Sequence, residues 1–183
     1  MLTVYDGAPA DALGRSEKEL RAYRFLDDLC VAYRRVDHAA AETMEACAEI
    51  DAALGFSICK NLFLCNRQKT VFYLLLMAGE KSFSTKEISG ELGVARLSFG
   101  TPEDMERLLG VRPGSVSVLG LLCDTEHEIN LLIDEDLLSL PYFGAHPLVN
   151  TSTVAFPTKT LTDVILPALG VTPRVVTVKG APQ

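Results

Sequence analysis

Residues 60–77 read KNLFLCNRQKTVFYLLLM, and their pattern decides the architecture. Two apolar runs, KNLFLC (60–65) and TVFYLLLM (70–77), flank the polar link NRQK (66–69), which has the length and composition of a hairpin turn. The second run carries no charged residue from Val71 to Met77. Along the first strand Lys60, Leu62 and Leu64 share one face, and Asn61, Phe63 and Cys65 share the other. Lys60 and Asn61 therefore both reach one pocket only if the strand begins with a bulge or bend. A lysine at the mouth of such a strand either snorkels to water or meets a group that needs its charge, because burying that charge alone is costly.

Outward from the hairpin, helices and strands interleave. Residues 16–35 place Leu20, Tyr23, Leu26, Leu29 and Cys30 at helical spacing, with Ser16 and Glu19 offering a capping box. VAYRRVDHA (31–39) turns into a short strand, and TMEACAEIDAALG (43–55) reads as a helix capped by Thr43 and stopped by Gly55. STKEISGELG (84–93) is a short helix with a Ser84/Glu87 capping box. TPEDMERLLG (101–110) is a helix with Thr101 as N-cap, Pro102 at the first position and Gly110 as terminator. VRPGSVSVLGLLC (111–123) reads as a turn feeding an apolar strand, with EINLLID (128–134) its neighbour across DTEHE. A turn at DEDLLSL leads into a loop and strand at PYFGAHPLVNTSTVAF (141–156). TKTLTDVILPALG (158–170) is a last helix and PRVVTV (173–178) a last strand. Short links between several strands favour an α/β (α+β-like) fold, a mixed, largely antiparallel central sheet flanked by helices. The expectation is one domain over 1–183, with residues 1–15 a flexible arm or a cover for the pocket.

The composition is that of a soluble globular chain, 48% hydrophobic and 22% charged. No apolar stretch approaches the roughly 20 residues that span a bilayer, and the N-terminus lacks the basic and apolar regions of a secretory signal. The five cysteines form no CxxC pair and sit in apolar patterns. They read as reduced, buried thiols, which suggests a cytoplasmic location. Net charge is −7, yet residues 60–100 hold six basic residues (Lys60, Arg67, Lys69, Lys81, Lys86, Arg96) against three acidic ones (Glu80, Glu87, Glu91). A locally basic face on an acidic protein suits a positioned phosphate contact better than general coating of nucleic acid.

Few polar groups stand out as chemistry. His146 lies in FGAHPLVNTST, held extended by Pro147, approachable at Gly144 and followed by Asn150, Thr151, Ser152 and Thr153. The Gly114–Ser115 turn offers backbone N–H groups to an anion or a carbonyl. No GxxxxGK, GxGxxG, GxSxG or HExxH motif is present, and three histidines without ligand spacing argue against zinc. Neither metal nor cofactor is expected.

Four blocks, taken in order, carry a resemblance: DHAAAET, CKNLFL, ARLSFGTPEDMERLLGVRPGSVSVLGL and FGAHPLVNTSTV. Together they resemble the YbaK/ProX family of aminoacyl-tRNA editing domains, over about residues 20 to 178. The KNLFL and HPLVNT blocks look like the ProX (PrdX) branch, whose free-standing members deacylate alanyl-tRNA(Pro). The resemblance implies that Lys60 meets the 3′-terminal adenosine of the mischarged tRNA, with Asn61 and His146 positioning substrate and water. It also implies that Gly114, Ser115 and Val116 line the amino-acid pocket, with Gly144 and Asn150 nearby and Thr43 on the opposite wall. Leu62, Phe63 and Leu148 are further candidate walls. The implied partners are the acceptor end of tRNA(Pro) carrying a wrong amino acid and prolyl-tRNA synthetase; no membrane and no DNA are implied. Family members often carry a proline where this chain has Val118, which bears on the shape of the pocket. The implied reaction is metal-free hydrolysis of the aminoacyl ester, with orientation and electrostatics supplied by the protein.

Rival readings differ in class. One is a deacylase for another mischarged tRNA, cysteinyl or seryl. A second is an inactive adaptor that binds tRNA or a synthetase. A third is a DNA-binding module, since TKEISGELGVARLSF resembles the first half of a helix-turn-helix, although ARLSFG stands where the recognition helix should follow.

Overall fold

The computed structural model describes residues 2–40 and 44–180, the side chains of 44–46 excepted. The hairpin that opens the reading of the sequence is present: β3 (Lys60–Cys65) pairs antiparallel with β4 (Phe72–Met77) in continuous register from Lys60↔Met77 to Cys65↔Phe72. Leu74, Leu75, Leu76 and Met77 are all fully buried, as an apolar run without alternation requires. β4 is the middle strand of a five-stranded sheet in the order β5-β3-β4-β6-β9, with β5 at Ser98–Phe99, β6 at Ile129–Asp134 and β9 at Arg174–Val176. β6 runs parallel to both β4 and β9. A second sheet, wholly antiparallel, has the order β1-β2-β8-β7, with β1 at Val4–Asp6, β2 at Arg34–Asp37, β7 at Tyr142–Ala145 and β8 at Ser152–Pro157.

The two sheets share one core. Phe63, Cys65, Phe72, Leu74 and Leu76 from the first meet Phe143, Ala145, Val154 and Phe156 from the second, together with Ala22, Tyr23 and Leu26 of α1 (Glu17–Asp28). On the outer face of the five-stranded sheet, Leu64, Leu75 and Met77 pack on Ile88 of α3 (Thr85–Leu92). On the other sheet, Val36 and Ala155 cover Ile50 and Leu54 of α2 (Met44–Leu54). α4 (Pro102–Leu109) begins at the expected N-cap Thr101, which forms a capping box with Asp104, each bonding the other's backbone, and ends at left-handed Gly110.

Several expectations fail locally. α1 stops at Asp28, and Cys30 takes φ +54, so the chain turns before residue 35. Ser84 caps α3 in extended geometry without a side-chain bond, and the Glu87 carboxylate accepts from the Lys179 N–H at 2.5 Å. Residues 118–122 form a 3-10 helix rather than a strand, so β6 finds its neighbours in β4 and β9 and no hairpin joins it across DTEHE. The turn expected at DEDLLSL contains a short α5 (Glu135–Leu138). The last helix is α6 (Thr158–Thr160), a π-turn (Leu161–Ile165) and α7 (Leu166–Ala168). Pro167 has no N–H to donate, and a widened turn before it accommodates the missing bond. Residues 4–6, expected within an arm, instead pair with β2, and Arg15 holds Asp37 at 2.7 Å and Glu19 at 2.5 Å. The expected cap Thr43 lies outside the described residues. No recognition helix follows α3, since β5 comes next.

One buried charge ties the sheet end to the loop after β4. Asp134, fully buried, receives the Lys81 ammonium at 2.7 Å, which also meets Asp136 at 2.7 Å and the Val178 carbonyl at 2.5 Å. Burial pulls the Lys81 pKa down, but the bonds and charges of Asp134 and Asp136 outweigh it and the net direction is up. Removing one partner of a buried pair strands the other. Lys81→Met is therefore expected to lower the unfolding free energy by about 3–5 kcal/mol, measured by urea denaturation. Adding Asp134→Leu should recover part of that loss.

Candidate active site

A cavity of about 500 Å³ opens at the start of β3, within the range of small-molecule sites. Its walls come from α2 (Cys47, Asp51), the segment 57–63, Phe99, Met105, the turn at Pro113–Val116, and His146. Lys60 and Asn61 both line it although the β3 register holds no bulge. Lys60 is the first residue of the strand and borders the cavity from the rim. Its ammonium reaches the Lys81 carbonyl at 2.5 Å, on the loop that Asp134 anchors. An ammonium has three N–H donors, so this anchor leaves others for a phosphate or ester oxygen.

Asn61 points the other way, and its bonds explain why. Its Nδ2 donates to the Cys59 sulfur at 3.4 Å, and the Cys59 thiol donates to the Gly144 carbonyl at 3.2 Å. Burial pushes the Cys59 pKa up to about 12, so the group is a thiol and a donor, not a nucleophilic thiolate. The Asn61 Oδ1 is buried with no hydrogen-bond partner among the described residues. A buried, unpaired acceptor lining a cavity is costly unless a ligand or water supplies a donor.

His146 owes its orientation to β8. Its Nδ1 lies 2.9 Å from the Ser152 carbonyl, which can only accept, so the proton sits on Nδ1 and Nε2 is an acceptor. By the same logic His38 Nδ1 donates to the Ala39 carbonyl at 2.8 Å, and His38 Nε2 accepts from the Thr153 hydroxyl at 2.9 Å. That hydroxyl is 3.4 Å from His146 Nδ1, so the two imidazoles are linked through Thr153. Desolvation lowers the His146 pKa; the Ser152 carbonyl opposes this and the neighbouring His38 adds to it. The site thus presents two acceptors, Asn61 Oδ1 and a neutral His146 Nε2, with one ammonium at the rim. Among the described residues no cluster of three metal-ligating side chains occurs, and no helix is long and apolar enough to cross a membrane.

The structure brings Lys60, Asn61, His146, Gly114 and Val116 to this one cavity, with Leu62 and Phe63. It places others beside it. The Ser115 amide, expected to face substrate, closes a turn onto the Arg112 carbonyl at 3.0 Å. Gly144 acts from behind: a Cβ there would lie 2.9 Å from Ile58 Cγ2, so only glycine lets β7 pack against that segment. Asn150 lies behind Gly114, its Nδ2 3.5 Å from where a Cβ would stand. Leu148 is fully buried in the core, and Val118 is fully buried in the 3-10 helix. Thr43 is outside the described residues. The sequence reading missed Cys59, Ser57, Gly79 and Met105 as lining residues. Cys59 had a signal, since it directly precedes Lys60 and Asn61, but a thiol in an apolar run looks like any core cysteine.

Comparison with known proteins decides the family. Residues 38–164 match the model of the aminoacyl-tRNA editing domain. The chain belongs to that family. It is 27% identical over 140 residues to the prolyl-tRNA editing protein ProX of Acetoanaerobium sticklandii, covering 76% of this chain and 85% of that protein. It is 28% identical over 149 residues to prolyl-tRNA synthetase associated domain-containing protein 1 of Danio rerio, covering 80% and 77%. Among solved structures, a protein described as a candidate trans-editing enzyme for prolyl-tRNA synthetase superposes with a TM-score of 0.66 at 21% identity, covering 89% of this chain and 98% of that one. The shared fold is the mixed α/β arrangement described above.

The depressed pKa of His146 has a testable sign. Its folded value lies below the unfolded 6.5, so the unfolded state binds the proton first and stability declines as pH falls from about 6.5 toward the folded pKa. An NMR titration should show the His146 ring titrating below 6.5, and His146→Phe should weaken the loss of stability over that window.

Proposed function

We propose that this editing domain acts in trans as a deacylase of mischarged alanyl-tRNA(Pro). The observation that carries the reading is the unpaired Asn61 Oδ1 in a cavity that also holds Lys60 and His146. An aminoacyl ester on a terminal adenosine brings what these groups lack: an α-ammonium or hydroxyl donor for the acceptors and oxygen-borne charge for the ammonium. Lys60 grips phosphate or ribose oxygens and offsets charge that develops on the ester carbonyl. Neutral His146 accepts a proton-bearing group at Nε2, either the attacking water or the terminal ribose hydroxyl, and Asn61 orients the other end. Holding water and ester in line is worth several kcal/mol without a covalent intermediate. The tRNA's own ribose hydroxyl assists the attack.

Selectivity follows from size. A synthetase site built for proline cannot strongly reject alanine, because a few methylenes are worth about 1–3 kcal/mol. A smaller second pocket walled by Leu62, Phe63 and Val116 admits alanine and excludes proline by overlap. Prolyl-tRNA synthetase is the natural partner under this reading, in keeping with the names of the relatives.

The test is deacylation of alanyl-, prolyl- and cysteinyl-tRNA(Pro) by wild type and Lys60→Ala. Rapid loss of alanine alone is expected, with Lys60→Ala slower by about 100-fold or more. Faster release of cysteine would keep the editing reaction and overturn the assignment of alanine. Binding of tRNA without hydrolysis of any ester would replace the enzyme with an adaptor.

A further inference from the structure

A second cleft, of about 130 Å³, adjoins the active-site cavity and has no part in the chemistry above. Ser57 and Gly79 line both spaces. In the ridge between them Gly79 packs directly on the chain at 57–58, for a Cβ there would lie 2.2 Å from the Ile58 carbonyl oxygen and 3.1 Å from Ser57 Oγ. The smaller cleft is walled by Phe56 and Tyr142, whose rings stack with centroids 5.7 Å apart. The Arg34 guanidinium lies 5.3 Å from the Tyr142 ring centre, and Tyr142 is 42% exposed despite its size. From these features we infer that the cleft holds the base of the unpaired nucleotide preceding the aminoacylated adenosine, with the linking phosphate crossing the Gly79 ridge beside Lys60.

The inference rests on the editing reading and extends it to the polynucleotide. Single-stranded ends are held by aromatic walls for the bases and cations for the backbone, and both are in place. Lys60 borders the larger cavity while its ammonium sits on the Lys81 carbonyl, one residue beyond Glu80 of the smaller cleft. The cation is thus held on the loop that follows Gly79 and Glu80, within reach of a phosphate that joins the occupants of the two spaces. Glu80 would repel a phosphate inside the cleft, but its carboxylate accepts from the exocyclic amine of a neutral base. An aliphatic ligand would not call for this combination of rings and carboxylate.

The experiment compares alanyl-tRNA(Pro) with 2′(3′)-O-alanyladenosine, which lacks the preceding nucleotide, using wild type, Tyr142→Leu and Tyr142→Phe. Tyr142→Leu is expected to lower kcat/KM on the tRNA about tenfold and on alanyladenosine less than about twofold, a difference that a folding defect cannot produce; Tyr142→Phe should match wild type on both. Equal losses on the two substrates, or no loss on the tRNA, would overturn the cleft assignment. An uncharged 3′-end oligonucleotide with 2-aminopurine at the penultimate position gives a readout independent of hydrolysis. Wild type should quench its fluorescence and Tyr142→Leu should not. If wild type hydrolyses neither ester, the editing reading fails, and the quenching alone then decides whether the cleft takes a base.

Discussion

The pairing of β3 with β4 is the constraint on which the rest depends. β4 is apolar on both faces and buried on both, so it can only lie at the centre of a sheet with layers on either side. That requirement sends Phe63 and Leu74 toward the core shared with the second sheet, and Leu64 and Leu75 toward α3. A shift of register by one residue would exchange those two sets and expose neither to water, yet it would turn Asn61 away from the cavity and Lys60 into it. The position of the site is thus a consequence of how the sheet packs.

Around that frame, polar groups are held by partners that leave each of them hydrogen-bonding capacity to spare. The Cys59 sulfur, itself bonded to the Gly144 carbonyl, accepts from the amide nitrogen of Asn61 and leaves its oxygen unpaired. Ser152 holds the proton of His146 and leaves Nε2 as acceptor. Lys81, itself secured by Asp134, offers its carbonyl to Lys60. The arrangement is preorganised by backbone carbonyls of β7, β8 and the loop after β4, which are rigid because they belong to sheet ends, and preorganised dipoles need no rearrangement at the moment of reaction.

Much of this was legible beforehand. The hairpin and the capped helix after Thr101 follow from local pattern, and family likeness grouped residues 60, 61 and 146, which line one cavity. Local signals misled where tertiary partners compete with them. Glu87 fits a capping box by spacing, but the Lys179 N–H comes within reach only in the folded chain. VSVLGLLC has strand composition, yet Leu119 and Leu121 pack into the core from a 3-10 turn. Ser115 looks like a free amide in a glycine turn, but the turn closes on Arg112.

By itself the sequence determined the mixed α/β class and the central buried hairpin, because periodicity and capping act over a few residues. Only the tertiary structure decided how the strands divide into two sheets, since β6 pairs in parallel with β4, 57 residues earlier, and β9, 42 residues later, by shape rather than by turn chemistry. It also decided that Lys60 sits at the rim and Asn61 inside, that the His146 proton is on Nδ1, and that an aromatic cleft lies across a glycine ridge from the cavity. Those facts depend on carbonyls and rings brought together from distant segments, and no local pattern records which distant group a side chain will meet.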